Sequence, residues 1–403
     1  MRSLRATFVG GVLISACGGA TASTHEPTPP IAPSARSAPD GMHAAPALDA
    51  SAPATAIAPK PAPVPEPPRF STFGRVGATG FLLTESGTAH LFDAATGTHV
   101  AFAPKVGDLR FARVALDREH LLLAGERGVG VYDVRGGELA HFDVPASPVI
   151  GAAALSRDGS KVMWVTDAIE IHDVATRALV RRIALGGELL NTDPRGNFVG
   201  FHADGEHIVV GDITQARVFQ LKNGAEVGDG HSTDTGGTFG AILSPDATYV
   251  AAASGDGHVL TLYRTFPWKK TGVDSVQDCA NHFLTFDFVN DGRSLAGFAQ
   301  DLRYTVTRVD TGVRERTLRS KIAGGASDVS DDGAVLVTRR DDQHPVVFDV
   351  KKNAPLFDLP PGAETTMLSN DGKFVLAAHE LTLQVLAIPS GTRAASWTVV
   401  RTL

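Results

Sequence analysis

What most constrains this chain is a period. An apolar strand that ends in a short polar hairpin recurs eight times, at Leu91-Phe92-Asp93, Val131-Tyr132-Asp133, Ile171-His172-Asp173, Val218-Phe219-Gln220, Leu262-Tyr263-Arg264, Val306-Thr307-Arg308, Val347-Phe348-Asp349 and Val385-Leu386-Ala387. Successive copies are 40, 40, 47, 44, 44, 41 and 38 residues apart. A second marker, a polar turn carrying aspartate, keeps the same phase at Asp117, Asp158-Gly159, Asp204-Gly205, Asp246, Asp291-Gly292, Asp332-Gly333 and Asp371-Gly372. Short β-branched apolar runs follow it, such as KVMWV, YVAAAS and FVLAAH. Such runs read as buried strands, and Asp-Gly reads as a tight hairpin because glycine accepts positive φ.

Each unit therefore holds four short strands: one before the Asp-Gly turn, one after it, the Phe/Tyr-Asp strand, and one after the next hairpin. A period of about 40–45 residues with four strands is that of a propeller blade, which cannot bury both faces unless neighbours stack in a ring. Over residues 69–403 the pattern resembles the WD40/YVTN-type β-propeller superfamily. It departs from strict WD40 repeats, since no copy carries Trp-Asp and Phe-Asp, Tyr-Asp or His-Asp stands there instead. The expectation is an all-β propeller of eight blades, or seven if the terminal copies share one.

The first residues carry a different signal. Arg2 and Arg5 precede a nine-residue, largely apolar run from Ala6 to Ile14. This is too short for a membrane-spanning helix and fits a secretory signal peptide. Ile14-Ser15-Ala16-Cys17 resembles the bacterial lipobox. That resemblance implies a signal peptide over 1–16, lipid on Cys17, and, with Gly18 following, an address at the outer membrane of a bacterial cell envelope. Stable anchoring takes two or more acyl chains, which a lipoprotein carries. Of residues 20–68, 27 of 49 are Ala or Pro. Proline lacks a donor and fixes φ, so residues 17–68 read as a disordered Pro/Ala-rich tether below the propeller.

Composition removes several functions. A net charge of −7 argues against a nucleic-acid partner, and two cysteines exclude a disulfide scaffold or a four-cysteine zinc site. Asp234-Thr235-Gly236 and Asp310-Thr311-Gly312 spell the aspartic-protease triplet, but Asp310 falls on a hairpin. Gly125-Glu126-Arg127-Gly128-Val129-Gly130 looks like a phosphate loop but has no helix behind it to hold an anion. His202 and His207 flank an Asp-Gly turn and read as exposed turn histidines. His172 reads as a packing residue. Asp93, Asp133, Asp173 and Asp349 share one repeat position and are expected to accept hydrogen bonds from their own turns. Cys279 reads as buried, with His282 three residues on. The stretch Thr265–His282 reads as a long connection, and its Trp268, Lys269 and Lys270 form a candidate partner-contact loop.

The functional expectation is a lipid-anchored, non-catalytic interaction module that binds an envelope protein or glycan, with no cofactor and no metal. The alternative is a propeller enzyme, lactonase-like or another hydrolase, which needs acids and histidines converging on the central channel. Trp164, Trp268 and Trp397 share no repeat position, which disfavours a quinone cofactor.

Overall fold

The computed structural model describes residues 72–85, 87–107, 109–144, 150–185, 197–228, 231–232, 238–254, 259–275, 283–299, 303–319, 328–340, 344–363, 365–379 and 382–398. The signal peptide, Cys17 and the tether, together with Asp234-Thr235-Gly236, Cys279 and His282, lie outside them.

The described chain forms eight four-stranded sheets in sequence order, so the eight-blade expectation holds. Blade 1 is β1 (Thr72–Val76), β2 (Gly80–Glu85), β3 (Thr88–Asp93) and β4 (Thr98–Phe102); blade 2 is β5 (Leu109–Val114), β6 (His120–Gly125), β7 (Gly128–Asp133) and β8 (Glu138–Asp143). Blade 3 is β9 (Ala152–Leu155), β10 (Lys161–Val165), β11 (Ala168–Asp173) and β12 (Leu179–Ala184); blade 4 is β13 (Phe198–Phe201), β14 (His207–Gly211), β15 (Gln215–Gln220) and β16 (His231–Ser232). Blade 5 is β17 (Thr238–Leu243), β18 (Tyr249–Ser254), β19 (Val259–Arg264) and β20 (Lys269–Ser275); blade 6 is β21 (Phe283–Val289), β22 (Ser294–Ala299), β23 (Arg303–Arg308) and β24 (Arg314–Arg319). Blade 7 is β25 (Asp328–Val329), β26 (Val335–Arg339), β27 (Pro345–Asp349) and β28 (Ala354–Asp358); blade 8 is β29 (Thr365–Leu368), β30 (Phe374–His379), β31 (Thr382–Ala387) and β32 (Arg393–Thr398).

Every blade is an antiparallel meander, and the sequence markers fall at fixed places in it. The aspartate turn joins the first strand to the second. Its fourth residue takes a left-handed φ in seven blades: Gly159, Gly205, Gly292, Gly333 and Gly372 at 65° to 85°, and Arg118 and Ala247 at 62° and 55°. Only glycine does this freely, which is why Asp-Gly dominates the marker. The Phe/Tyr-Asp marker is the third strand, and the register slips by one residue within it, for example at Val131/Tyr132, Ile171/His172 and Val385/Leu386. A bulge repeated at one position strengthens the local twist in the same way in each blade.

The core is a set of eight apolar clusters, one at each blade junction. Val76, Leu82 and Leu91 of blade 1 pack on Ala112, Leu121 and Tyr132 of blade 2. Phe142 of blade 2 packs on Trp164 of blade 3, with ring centroids 5.5 Å apart. The series runs on to blade 8, where Leu376 and Leu383 meet Phe81, Leu83 and Phe92 of blade 1. Phe81, Leu121 and Leu376 are fully buried. Complete burial of such a side chain contributes roughly 1.5–3 kcal/mol, so the ring is held by its junctions rather than by any single blade. Among the described residues no strand is shared between blades 1 and 8. The ring closes by packing, with Phe92 and Trp397 centroids 4.8 Å apart, and by hydrogen bonds from Asn370 Nδ2 to the Gly77 carbonyl (2.7 Å) and from the Asp371 N–H to the Ala78 carbonyl (3.2 Å).

The expected Thr265–His282 connection is corrected. Thr265 to Trp268 is a hairpin turn, and Lys269–Ser275 is the outer strand β20, paired with β19. The strand sequence KKTGVDS has neither the continuous apolar run of a buried strand nor the alternation of a half-buried one, so its period alone does not reveal it.

Candidate functional site: the turn face and the channel

The first turn of blades 3, 5, 7 and 8 is built from a small hydrogen-bond unit. Ser156, Ser244, Ser330 and Ser369 occupy the same repeat position, and each donates its hydroxyl to an aspartate two residues on, at 2.6–2.7 Å. Each serine Oγ also accepts the N–H of the residue five positions later, at 2.8–3.1 Å. A buried turn with two satisfied backbone donors is an architectural device, and its repetition says so.

Blade 4 departs from that unit. His202 stands where the serine belongs and His207 starts the next strand. Both imidazole Nδ1 atoms converge on one oxygen, Asp204 Oδ2, at 2.9 and 2.8 Å. Both rings are 8% exposed and Asp204 is 31% exposed, which corrects the reading of these histidines as exposed turn residues. Phe266, from the hairpin of blade 5, covers His207 with centroids 4.1 Å apart. Burial works against the Asp204 charge, yet the Glu206 N–H and the two imidazoles outweigh it and hold the carboxyl down at about 2. Blade 2 is a partial copy: His120 Nδ1 lies 2.6 Å from Asp117 Oδ2, but Ala115 stands where His202 does.

A second cluster lies on the first strands, which neighbour one another around the axis and line the channel. Arg75 on β1 reaches Asp328 Oδ1 and the Val329 carbonyl on β25. Asp328 Oδ2 in turn accepts the Leu368 N–H at 2.5 Å, so this one carboxylate ties blades 1, 7 and 8 together. Burial works against the Arg75 charge, but Asp328, Asp287 and Asp331 outweigh it and hold the guanidinium above the usual arginine range. Asp287 on β21 goes the other way. Burial pushes its carboxyl up to about 7; Arg75 opposes the shift, and Asp328 and Asp331 add to it. At the turn face Arg118 donates to Asp291 and to Asp331, each at 2.8 Å. These contacts stitch the channel acids to arginines from across the ring.

Among the other predicted residues, Asp93, Asp133, Asp173 and Asp349 do accept bonds from their own turns, for example Arg135 N–H to Asp133 Oδ1 at 2.7 Å and Lys352 N–H to Asp349 Oδ1 at 2.8 Å. Asp310 is a turn residue paired with Arg308. Glu126 and Arg127 form the turn between β6 and β7. His172 packs its ring on Trp164 at 4.5 Å. Trp268 is stacked on Tyr263 at 5.1 Å within the junction of blades 4 and 5, while Lys269 and Lys270 are exposed. The sequence reading did not find Arg75, Asp287 or Asp328, because nothing in a linear period says which first-strand residues face the axis.

Of the five exposed large apolar side chains among the described residues, Val313 sits alone on the blade 6 hairpin at 58% exposure and the other four lie together elsewhere. Val100 on β4, Leu139 on β8, and Leu179 and Val180 on β12 are 38%, 40%, 52% and 39% exposed. All four lie on the outer strands of three consecutive blades.

No family model and no curated protein matches the chain. Solved structures do. The C-terminal WD40 domain of Sif2 aligns with a TM-score of 0.55 at 13% identity, over 80% of this chain and 97% of that one. KlHsv2 with loop 6CD replaced by a Gly-Ser linker aligns with a TM-score of 0.50 at 14% identity, over 72% of this chain and 97% of that one. The described domain has a WD40-like β-propeller fold. At these identities the likeness is one of fold, and function has to be argued from the surface.

Proposed function

We propose that the chain is a non-catalytic interaction module, held at a bacterial cell envelope by lipid on Cys17, and that it binds an envelope protein along the outer strands of blades 1–3. The observation that carries the reading is the run of exposed apolar residues Val100, Leu139, Leu179 and Val180 on neighbouring outer strands. An outer strand also presents unpaired backbone donors and acceptors, so a partner strand can add to the sheet edge and seat alternate side chains on these residues. Lys269 and Lys270 on β20 remain candidates for a separate polar contact. The hydrolase alternative has less support, since Asp328, Asp331 and Asp291 are already engaged by Arg75 and Arg118.

The anchor is tested by labelling cells with an azido fatty acid and fractionating the membranes. Label and membrane retention that both disappear in Cys17→Ser support the reading. A Cys17→Ser chain that fractionates like the unaltered one, with neither labelled, contradicts it and leaves a secreted propeller.

A further inference from the structure

We infer that His202, Asp204 and His207 form a binding site for a divalent transition metal, zinc by the chemistry of its donors. The three donor atoms lie within 4.8 Å of one another. Two imidazoles and a carboxylate are a standard zinc donor set, with distances of about 2.0–2.2 Å from metal to each atom, and three protein ligands leave a fourth position for water. Donors that share one tetrahedral ion stand roughly 3.3 Å apart on that geometry. The observed 2.8 and 2.9 Å separations therefore need to open by only a few tenths of an ångström. Asp204 faces solvent on one side, which gives the ion a way in and the water a place.

The hydrogen bonding at His202 points the same way. Its Nδ1 lies 3.3 Å from the Asp204 N–H, which donates to it, and 2.9 Å from Asp204 Oδ2, which has no proton to give. A protonated Nδ1 meets the N–H head-on, and an unprotonated one sets its lone pair against an anionic oxygen. Neither tautomer satisfies both contacts. A cation between Nδ1 and Oδ2 satisfies the second, because both atoms then donate electron pairs to it. The other ring nitrogen, Nε2, is buried without a hydrogen-bond partner, so the ring gains nothing there that explains its presence in a serine position.

The repeat supplies an internal control. Blade 2 keeps the aspartate and the later histidine, with His120 on Asp117, but has Ala115 in place of the first histidine. An Asp–His contact alone is thus part of the turn architecture. The metal reading rests on the added His202, which the serine blades do without.

The test uses the full chain in detergent, stripped with a chelator and titrated with zinc chloride by calorimetry. His202→Ser restores the residue of four other blades, and His207→Ser places there the residue that blade 6 has at Ser294. The unaltered chain is expected to bind a single zinc ion, and either variant that keeps the far-ultraviolet spectrum of a folded propeller to bind it at least ~10-fold more weakly. His120→Ser is expected to bind as the unaltered chain does. Cobalt(II) in place of zinc is expected to give the visible bands of a four-coordinate site, lost in the same variants. Zinc binding that is absent, or unchanged by His202→Ser and His207→Ser, overturns the assignment, as does cobalt without those bands.

Discussion

Arg118 donates to Asp291 at 2.8 Å, and the two residues belong to blades 2 and 6, on opposite sides of an eight-membered ring. The same guanidinium holds Asp331 of blade 7. Arg118 occupies the left-handed turn position that glycine fills in most other blades, and Asn290 and Asp291 opposite it are left-handed as well. Backbone strain of this kind persists where surrounding contacts fix it.

Arg75 and Arg118 are expected to matter unequally. Arg118 and Asp291 are partly exposed, at 33% and 61%. Arg118→Ala should therefore lower stability by about 1 kcal/mol or less. Arg75 and Asp328 are more enclosed, at 20% and 15%, with Asp287 beside them. Arg75→Ala leaves carboxylates unpaired in a sheltered place and should lower stability by about 3 kcal/mol. Urea unfolding of the two variants measures the difference.

Two groups give opposite pH dependence. Asp287 has a folded value raised to about 7 from the ordinary 3.8, so between these values the folded state binds more protons than the unfolded state. Stability from this group therefore falls as pH rises from about 4 to about 7. His90 is held down at about 4, by burial and by the neighbouring His99, against an ordinary 6.5. Its contribution falls as pH drops from about 6.5 to about 4. Asp287→Asn should raise stability at pH 8 and remove the first slope, and His90→Phe should remove the second. Unfolding midpoints across that range read both.

The seam between blades 8 and 1 is the one blade junction that the chain does not itself connect, so its aromatic contact carries more of the closure than the equivalent contact elsewhere. Phe92 is 2% exposed, stacks on His99 and packs at a tilt against Trp397. Phe92→Ala should cost about 3–5 kcal/mol. Hydrogen exchange should then speed up first in β1 to β4 and β29 to β32. Equal acceleration in all blades would show that the seam is no weaker than the other junctions.

The repeated serine is expected to be structural. Ser330 is fully buried, donates to Asp332 Oδ1 at 2.6 Å and accepts the Val335 N–H at 2.9 Å. Ser330→Ala strands a buried donor and should destabilise by about 1–3 kcal/mol, again measured by urea unfolding.

How far the fold was readable follows from the same turns. The phase of Asp158, Asp204, Asp332 and Asp371 placed four strands per blade and eight blades, because a tight turn that needs a left-handed residue has to be spelled out locally. The outer strand Lys269–Ser275 was missed because an outer strand pairs on one edge and packs on one face, so it leaves only a weak apolar pattern. The convergence of Arg75 on Asp328 was not readable at all: the two are 253 positions apart, and only closure of the ring makes them neighbours. His202 and His207 were visible as a pair, but their burial depends on Phe266, which arrives from the next blade.

The most direct measurement is photo-crosslinking in cells, with a photoreactive side chain placed at Leu179 on the rim or at Asp310 on the hairpin of blade 6. A discrete crosslinked envelope protein is expected from position 179, lost when the neighbouring Val180 is changed to Asp, and none from position 310. Absence of any crosslink at position 179, or equal crosslinks at both positions, would contradict binding at this rim.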